Sequence, residues 1–279
     1  MQTKWIYTGF HWTDWEWGMR KIFVILTGLM ALWASPLWAA PQARPVEWKI
    51  DKQVFSGFLV YDDASSEKRP GLVMVPDWLG VTPAAVDKAK QIAGDDYVVL
   101  VVDMYGKGIR PKDPAEALAQ VKKMYADIPM MRARINKSVE VLRGEAGKAP
   151  LDPAKIAALG FCFGGSSVLE LARSGADVAG VVTFHGGLGT SMPAQPGVVK
   201  APLLILNGAD DKNTAPDIAG FEKEMNGAGA DWQFVNFSGA VHCFALETAN
   251  SPPGCVYNAR AAKRAKRMMG DFLEEIFGK

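Results

Sequence analysis

The chain has 279 residues, of which 49% are hydrophobic and 22% charged, and its formal net charge at pH 7 is +1. This is enough chain for one α/β domain with a full core, since such domains commonly run to roughly 200–250 residues. The near balance of charges gives no reason to expect nucleic acid or an acidic membrane as a partner.

The first 40 residues are typical of a targeting segment. From Met19 the sequence MRKIFVILTGLMALWASPLWAAPQA has two positive charges, an apolar run and then small residues suited to cleavage after Ala39 or Ala40. We therefore predict an upstream extension with a secretory signal peptide (1–40), the true start being either the first residue or Met19. The mature protein would be periplasmic or secreted, one domain (41–279), without membrane contact. Left uncleaved, the segment would act as a membrane anchor.

Downstream, short apolar runs alternate with segments of helical periodicity. An opening hairpin is predicted around Asp51 and Lys52. The pattern then predicts, in chain order, a strand at 71–75, a helix at about 83–93, a strand at 97–102, helices at about 114–125 and 129–143, a strand at 156–160 with a helix after it, strands at 178–184 and 202–208, a helix at about 216–226, a strand at 232–237 and a helix at about 256–277. Apolar strands separated by helices predict an α/β fold with a mostly parallel central sheet and helices on both faces.

Polar side chains follow these strands, at the carboxyl ends where such sheets gather their working residues. They are, in chain order, Asp77, Asp103, Cys162, His185, Asp210, Asp211 and His242. A nucleophile, then an acid, then a histidine is the chain order of the triad in α/β-hydrolases. The order indicates Cys162, Asp211 and His242 as catalytic residues.

Cys162 lies in the stretch GFCFGG, at the junction of a predicted strand and a predicted helix. A nucleophile on such a sharp turn needs neighbours without side chains, which the glycines at 160, 164 and 165 supply. The helix N-terminus favours a thiolate, and the amide of Phe163 would face a developing oxyanion. The alternatives are a buried structural cysteine beside a glycine-rich turn, or a phosphate cradle, for which the G-x-G-x-x-G spacing is missing.

The stretches GFCFGG, NGADD and GAVHCF resemble three characteristic stretches of the dienelactone hydrolase family of α/β-hydrolases, and the order of elements matches from about Val46 to the C-terminus. The resemblance implies an α/β-hydrolase fold and an enzyme that cleaves ester or lactone bonds without a cofactor. It places the triad on Cys162, Asp211 and His242, with Asp211 preferred to Asp210 because the family pattern is G-x-x-D.

The stretch PDWLG resembles a strand-end motif of the same family. It implies that Asp77 is an acid that interacts with the resting thiol and that the amide of Trp78 is the second oxyanion donor. Two arginines bind the substrate carboxylate in well-known members of the family, but Lys107 and Leu246 stand at their places here. One lysine cannot reproduce two bidentate contacts, so the resemblance carries the chemistry and not the substrate.

Three residues near the expected site are candidate substrate contacts: Tyr105, Lys107 and His185. For His185 the alternative is a ring that satisfies a local backbone carbonyl. The remaining His and Cys residues show no ligand spacing, so no metal site is expected.

Cys243 and Cys255 are candidates for a disulfide that closes the loop carrying His242, the alternative being two unpaired thiols. The function predicted overall is hydrolysis of a small-molecule ester or lactone by a monomer. The rival functions are a secreted thiol redox protein, against which the missing C-x-x-C motif argues, and a noncatalytic binding module on a hydrolase fold.

Overall fold

The computed structural model of the protein describes residues 41–278, and the predicted extension and signal peptide lie outside them. The strands in this part of the chain are β1 (Gln42–Ile50), β2 (Gln53–Tyr61), β3 (Arg69–Val75), β4 (Val98–Val101), β5 (Leu151–Phe161), β6 (Val181–Phe184), β7 (Leu203–Gly208), β8 (Trp232–Phe237), β9 (Asn250–Ser251) and β10 (Cys255–Val256). The helices are α1 (Pro83–Ala93), α2 (Pro114–Ala126), α3 (Ile128–Arg143), α4 (Phe163–Arg173), α5 (Ile218–Ala228) and α6 (Ala259–Phe277).

Eight of the described strands form one sheet in the order β1-β2-β4-β3-β5-β6-β7-β8. Strands β1 and β2 form the predicted antiparallel hairpin, and β2 also pairs antiparallel with β4. All other neighbours in the sheet are parallel. The carboxyl ends of β3 to β8 therefore meet at one edge, and the predicted α/β fold with a mostly parallel sheet is confirmed.

Helices cover both faces of the sheet. On one face α1 and α6 pack through Ala85, Ala89, Ala261, Ala265 and Met269. On the other face α3, α4 and α5 pack through Met131, Ile135, Val168, Leu169 and Phe221. Strands buried from both sides need apolar side chains in both directions, which explains the absence of alternation in β3, β4, β6 and β7.

The predicted and observed boundaries agree closely for α1 and β8, and less well where a local contact ends an element. The last helix begins at Ala259 and not at 256, because the Asn258 side chain accepts a hydrogen bond from the amide of Ala261 and caps the helix. Strands β9 and β10, of two residues each, escaped prediction because so short a strand has no periodicity. No helix within residues 41–278 is long and apolar enough to span a membrane.

Candidate active site

The turn between β5 and α4 holds Cys162 in a conformation that few residues adopt. Its backbone has φ 55° and ψ −118°, and α4 begins at the next residue. The chain packs so tightly here that a Cβ on Gly160 would lie 2.1 Å from the carbonyl oxygen of Gly164, and one on Gly164 would lie 2.1 Å from that of Val75. Only hydrogen fits at these two positions, so the glycines of GFCFGG are required for the turn.

His242 connects the thiol to a carboxylate. Its Nε2 lies 3.0 Å from Cys162 Sγ, and its Nδ1 lies 2.7 Å from Asp211 Oδ2. The other oxygen of Asp211 accepts a hydrogen bond from the amide of Asn213 at 2.9 Å. Asp211 is buried at the end of β7, whereas Asp210 is exposed. The structure thus brings together the three side chains that chain order and resemblance indicated.

The electrostatics of this group favour a charged imidazole. Burial alone would lower the pKa of His242, but its hydrogen bonds to Asp211 and Cys162, with the negative charges of both, raise that pKa to about 10. Burial would likewise raise the pKa of Asp211, yet the hydrogen bond and charge of His242 lower it. These two shifts favour an imidazolium beside the carboxylate of Asp211.

The backbone amides of Phe163 and Trp78 are the two predicted oxyanion donors. Within residues 41–278 neither the amide of Phe163, the first residue of α4, nor that of Trp78 donates a hydrogen bond. Tyr105 ties these two residues together, since its hydroxyl donates to the Trp78 carbonyl at 2.9 Å and its ring stacks on Phe163 with 5.6 Å between centroids. Burial, the largest cause, and the charges of Asp77 and Cys162 raise the pKa of Tyr105. Tyr105 contacts both Trp78 and Phe163 and, with 2% exposure, is too buried for the predicted substrate contact.

The structure does not show the contact with the thiol predicted for Asp77. Its Oδ1 accepts a hydrogen bond from the amide of Leu79 at 2.9 Å, which the short side chain reaches within its own turn. Burial raises the pKa of Asp77, partly offset by that bond and by the charge of Lys88. Lys88, which no motif indicated, lies with its Nζ 3.2 Å from the carbonyl oxygen of Ala245 and 4.9 Å above the ring of Phe161.

Lys107 pairs with an acid of the opening hairpin, and its predicted contact with substrate stays a prediction. Its Nζ lies 2.7 Å from Glu47 Oε1 on the edge strand β1, and its amide donates to the carbonyl of Val54 on β2. The ammonium therefore pairs with the opening hairpin, because the loop after β4 folds back onto that hairpin.

The prediction for His185, in contrast, is corrected. It is fully buried, with 0% exposure, so its ring cannot reach a substrate. Neither ring nitrogen has a hydrogen-bond partner, so the alternative of a satisfied backbone carbonyl does not hold either. The ring packs against His242 at 5.1 Å and Phe244 at 5.4 Å between centroids. Burial, and secondarily the charge of His242, lowers the pKa of His185, which keeps this second imidazole neutral.

The loop that carries His242 is held by several tethers. Cys243 and Cys255 form a disulfide, with Cα atoms 5.0 Å apart. Beside it, the amide of Val256 donates to the carbonyl of His242 at 3.2 Å, and that of Asn258 donates to the carbonyl of Phe244 at 3.1 Å. The catalytic candidate is thus flanked by covalent and hydrogen-bonded links to the chain just before α6.

A cavity of about 280 Å³ opens between α1 and residues 246–248, which lie inside the loop closed by the disulfide. Its walls include Asp77, Leu79, Lys88, Phe161 and Leu246. Lys88 is the cationic side chain among these lining residues. Leu246, at the position where well-known members of the family have an arginine, adds apolar surface. Among residues 41–278, no group of three His, Cys, Asp or Glu side chains could hold a metal ion.

The chain is similar to known proteins over most of its length. A family model described as the dienelactone hydrolase family matches residues 55–277. The chain belongs to the dienelactone hydrolase family. Its members are α/β-hydrolases, and the chain is accordingly a hydrolase whose family acts on ester and lactone bonds.

Individual relatives of this dienelactone hydrolase family member cover most of the chain. A crystal structure of a dienelactone hydrolase-like promiscuous phosphotriesterase from metagenomic libraries is 32% identical, with a TM-score of 0.78, covering 85% of this chain and 99% of that one. A structure named m3DLH is 29% identical, with a TM-score of 0.79 and the same two coverages. A Salmonella typhimurium protein named as a proposed carboxymethylenebutenolidase is 23% identical over 225 residues, which is 77% of this chain and 81% of that protein.

Proposed function

We propose that the protein hydrolyses carboxylic esters or lactones of small molecules by acyl transfer to Cys162, with His242 as base and Asp211 as the acid that orients it. One observation carries this proposal: His242 lies within hydrogen-bond distance of Cys162 Sγ on one side and of Asp211 Oδ2 on the other, at 3.0 and 2.7 Å. A nucleophile, a base and an orienting group in this geometry are what covalent catalysis needs.

The reaction follows from the same contacts. The thiolate of Cys162 attacks the carbonyl carbon, and the amides of Phe163 and Trp78 donate hydrogen bonds to the oxyanion. The C–O bond to the leaving group then breaks, and the leaving oxygen takes the proton from Nε2 of His242. In the second half, His242 removes a proton from water, which attacks the thioester and frees Cys162. No step requires a cofactor.

We further propose that the enzyme works outside the cytoplasm, in the periplasm or secreted, after removal of residues 1–40. The support is the signal-like sequence after Met19 together with the Cys243–Cys255 disulfide, since disulfides persist in oxidising compartments. N-terminal sequencing of the protein from its native compartment tests this, and a first residue upstream of Ala39 would contradict it.

Turnover of p-nitrophenyl acetate by the wild type, Cys162→Ala and His242→Ala, combined with alkylation of the thiol, tests the proposed chemistry. We expect both variants to lose turnover. Alkylation of Cys162 should be faster in the wild type than in His242→Ala, because His242 Nε2 lies 3.0 Å from Sγ and is the group proposed to take up the thiol proton.

The outcomes also separate the rival functions. Rapid alkylation without turnover of any ester would favour a thiol redox protein. Neither turnover nor unusual reactivity of Cys162 would favour a noncatalytic binding module. Full turnover by Cys162→Ala would remove the thiol from the mechanism.

A further inference from the structure

A second cavity, of about 240 Å³, lies between α1 and α6, on the face of the sheet that these two helices cover. Its lining includes the rings of Phe161 and Phe184, which end β5 and β6 and stack with 4.7 Å between their centroids. It shares Lys88 and Phe161 with the cavity of about 280 Å³ described above. No member of the candidate triad is among its lining residues, so the reaction proposed above leaves it without a role.

The charged side chains around this cavity are mostly cationic. Lys88 of α1 and Lys263 and Lys266 of α6 bring three ammonium groups to the lining, against the single carboxylate of Glu247. None of the three lysines forms a salt bridge with another residue in the part of the chain that the structure describes. The cavity therefore carries an excess of positive charge beside an apolar surface.

Lys88 is the most enclosed of the three lysines. Its side chain is half-buried, whereas Lys263 and Lys266 are exposed. Its Nζ donates one hydrogen bond, to the carbonyl oxygen of Ala245 at 3.2 Å, and lies 4.9 Å from the centroid of the Phe161 ring. An ammonium group has three N–H donors, so two of them have no acceptor among residues 41–278 and are available to a ligand in the cavity.

The surroundings of Lys88 favour the arrival of one negative charge. Burial, the largest cause, lowers the pKa of Lys88, the charges of Glu247 and Asp77 raise it, and the charge of Lys266 lowers it. The ammonium is thus partly desolvated with a second cation nearby, and an anion in hydrogen-bond contact with it offsets both effects. Glu247 on the same wall would repel a further negative charge, so a monoanion suits this cavity better than a dianion.

We infer that the cavity between α1 and α6 is a second ligand site, additional to the triad, that binds a small monocarboxylate with an apolar body. The carboxylate accepts hydrogen bonds from the two available donors of Lys88, and the apolar body packs on Phe161 and Phe184. The volume of about 240 Å³ lies below the roughly 300–1,000 Å³ of sites for drug-sized ligands, so the ligand has at most about a dozen non-hydrogen atoms. This α1–α6 site does not depend on the proposed hydrolysis.

Isothermal titration calorimetry with 4-phenylbutyrate, which joins one carboxylate to an apolar body of suitable size, tests the α1–α6 site. The wild type should bind it with a Kd of about 1 mM or lower. Lys88→Met, which removes the ammonium and keeps an apolar side chain, should weaken binding by at least about tenfold. Ala262 lines this cavity and not the one of about 280 Å³, so Ala262→Phe should fill the α1–α6 site and abolish binding while ester turnover is retained.

Matched controls separate recognition in this cavity from a general effect of charge. Lys90→Met removes an ammonium from the same helix, but Lys90 pairs with Asp87 and does not line the cavity, so the affinity should stay within about twofold of the wild type. The neutral amide of the probe, and acetate, which lacks the apolar body, should each bind at least about tenfold more weakly. Alkylation of Cys162 blocks the candidate active site and should leave the affinity for 4-phenylbutyrate unchanged.

Four results would overturn the inference. One is the absence of saturable binding to the wild type. Equal affinity of the wild type and Ala262→Phe would show that the probe binds elsewhere. Equal affinity for the probe and its amide, or of the wild type and Lys88→Met, would show that Lys88 does not recognise a carboxylate. Loss of binding after alkylation of Cys162 would place the probe in the candidate active site. Turnover of p-nitrophenyl acetate by the wild type and Cys162→Ala tests the proposed hydrolysis separately, so either idea can fail without the other.

Discussion

The thiol and the imidazole of the candidate site are held by two very different pieces of chain. Cys162 lies on a turn in which β5 ends at Phe161 and α4 begins at Phe163. His242 lies in the long connection between β8 and α6, where regular structure is limited to the two-residue strands β9 and β10. In the turn around Cys162, backbone atoms pack so closely that no side chain fits at Gly160 or Gly164. The loop around His242 is held by separate links such as the Cys243–Cys255 disulfide.

The two regions should therefore respond differently to substitutions. The turn has no spare room, so an added methyl group must move backbone, which moves the nucleophile and the oxyanion amides together. The loop has separate tethers, and the loss of one leaves the others, among them the bond from the amide of Asn258 to the carbonyl of Phe244. We therefore expect all-or-none effects in the turn and graded effects in the loop.

Gly164→Ala should have the largest effect. Its Cβ would lie 2.1 Å from the carbonyl oxygen of Val75 and 2.4 Å from that of Pro76, both backbone atoms that cannot swing away. We expect the free energy of unfolding to fall by on the order of 3 kcal/mol and ester turnover to be lost. Chemical denaturation measures the first and p-nitrophenyl acetate the second. The matched control is Gly220→Ala in α5, where a Cβ meets nothing within 4 Å and about 0.5–1 kcal/mol should be gained.

Asp211→Asn should have the second-largest effect. His242, which follows β8, depends for its orientation on Asp211, which follows β7, whereas Cys162 is held by its own turn. The Asn side chain is neutral, so the protonated ring of His242 loses its negatively charged partner at Nδ1. We expect kcat/KM to fall by about 10³-fold with little change in thermal stability. Asp210→Asn, one residue earlier and exposed, should stay near the wild type. The reverse order would move the acid to Asp210.

Removal of the disulfide should have a graded effect. In the double variant Cys243→Ser and Cys255→Ser, the free energy of unfolding should drop by about 3 kcal/mol, the value expected for a short closed loop. Turnover should fall several-fold and not vanish, because the hydrogen-bonded tethers remain. The alkylation rate of Cys162 reports on the turn, and a large change in it would contradict the independence of the two regions.

Much of this architecture could be predicted from the sequence, for reasons that differ by region. The GFCFGG turn is dictated by neighbouring residues, so its conformation is visible in a hexapeptide. The contact of Lys107 with Glu47 escaped prediction because it depends on how the loop after β4 folds back. The contact of Asp77 with Leu79 escaped prediction because it depends on the length of the side chain, which is one methylene shorter than that of glutamate. The hydrogen bond from Tyr125 to Ser166 also escaped prediction, because the two residues are far apart in sequence.

His185→Phe should have the smallest effect of the series. Phe fills the same space against Phe244 and leaves no unpartnered ring nitrogen in the core, so the free energy of unfolding should be unchanged or higher by about 1 kcal/mol. Turnover should remain within about threefold of the wild type, because the ring does not reach substrate. His185→Ala, which leaves a cavity behind His242, is the contrasting control. Loss of turnover in a stable His185→Phe variant would give the second imidazole a direct role in catalysis.

The acyl-enzyme on Cys162 can be observed directly by mass spectrometry. Wild-type protein mixed with p-nitrophenyl acetate, quenched in acid within the first turnover and digested, should carry one acetyl group on the peptide that contains Cys162. Under the same quench, Cys162→Ala should carry none. An acetyl group on any other residue, or steady turnover with no acylated Cys162 at any time, would contradict the account.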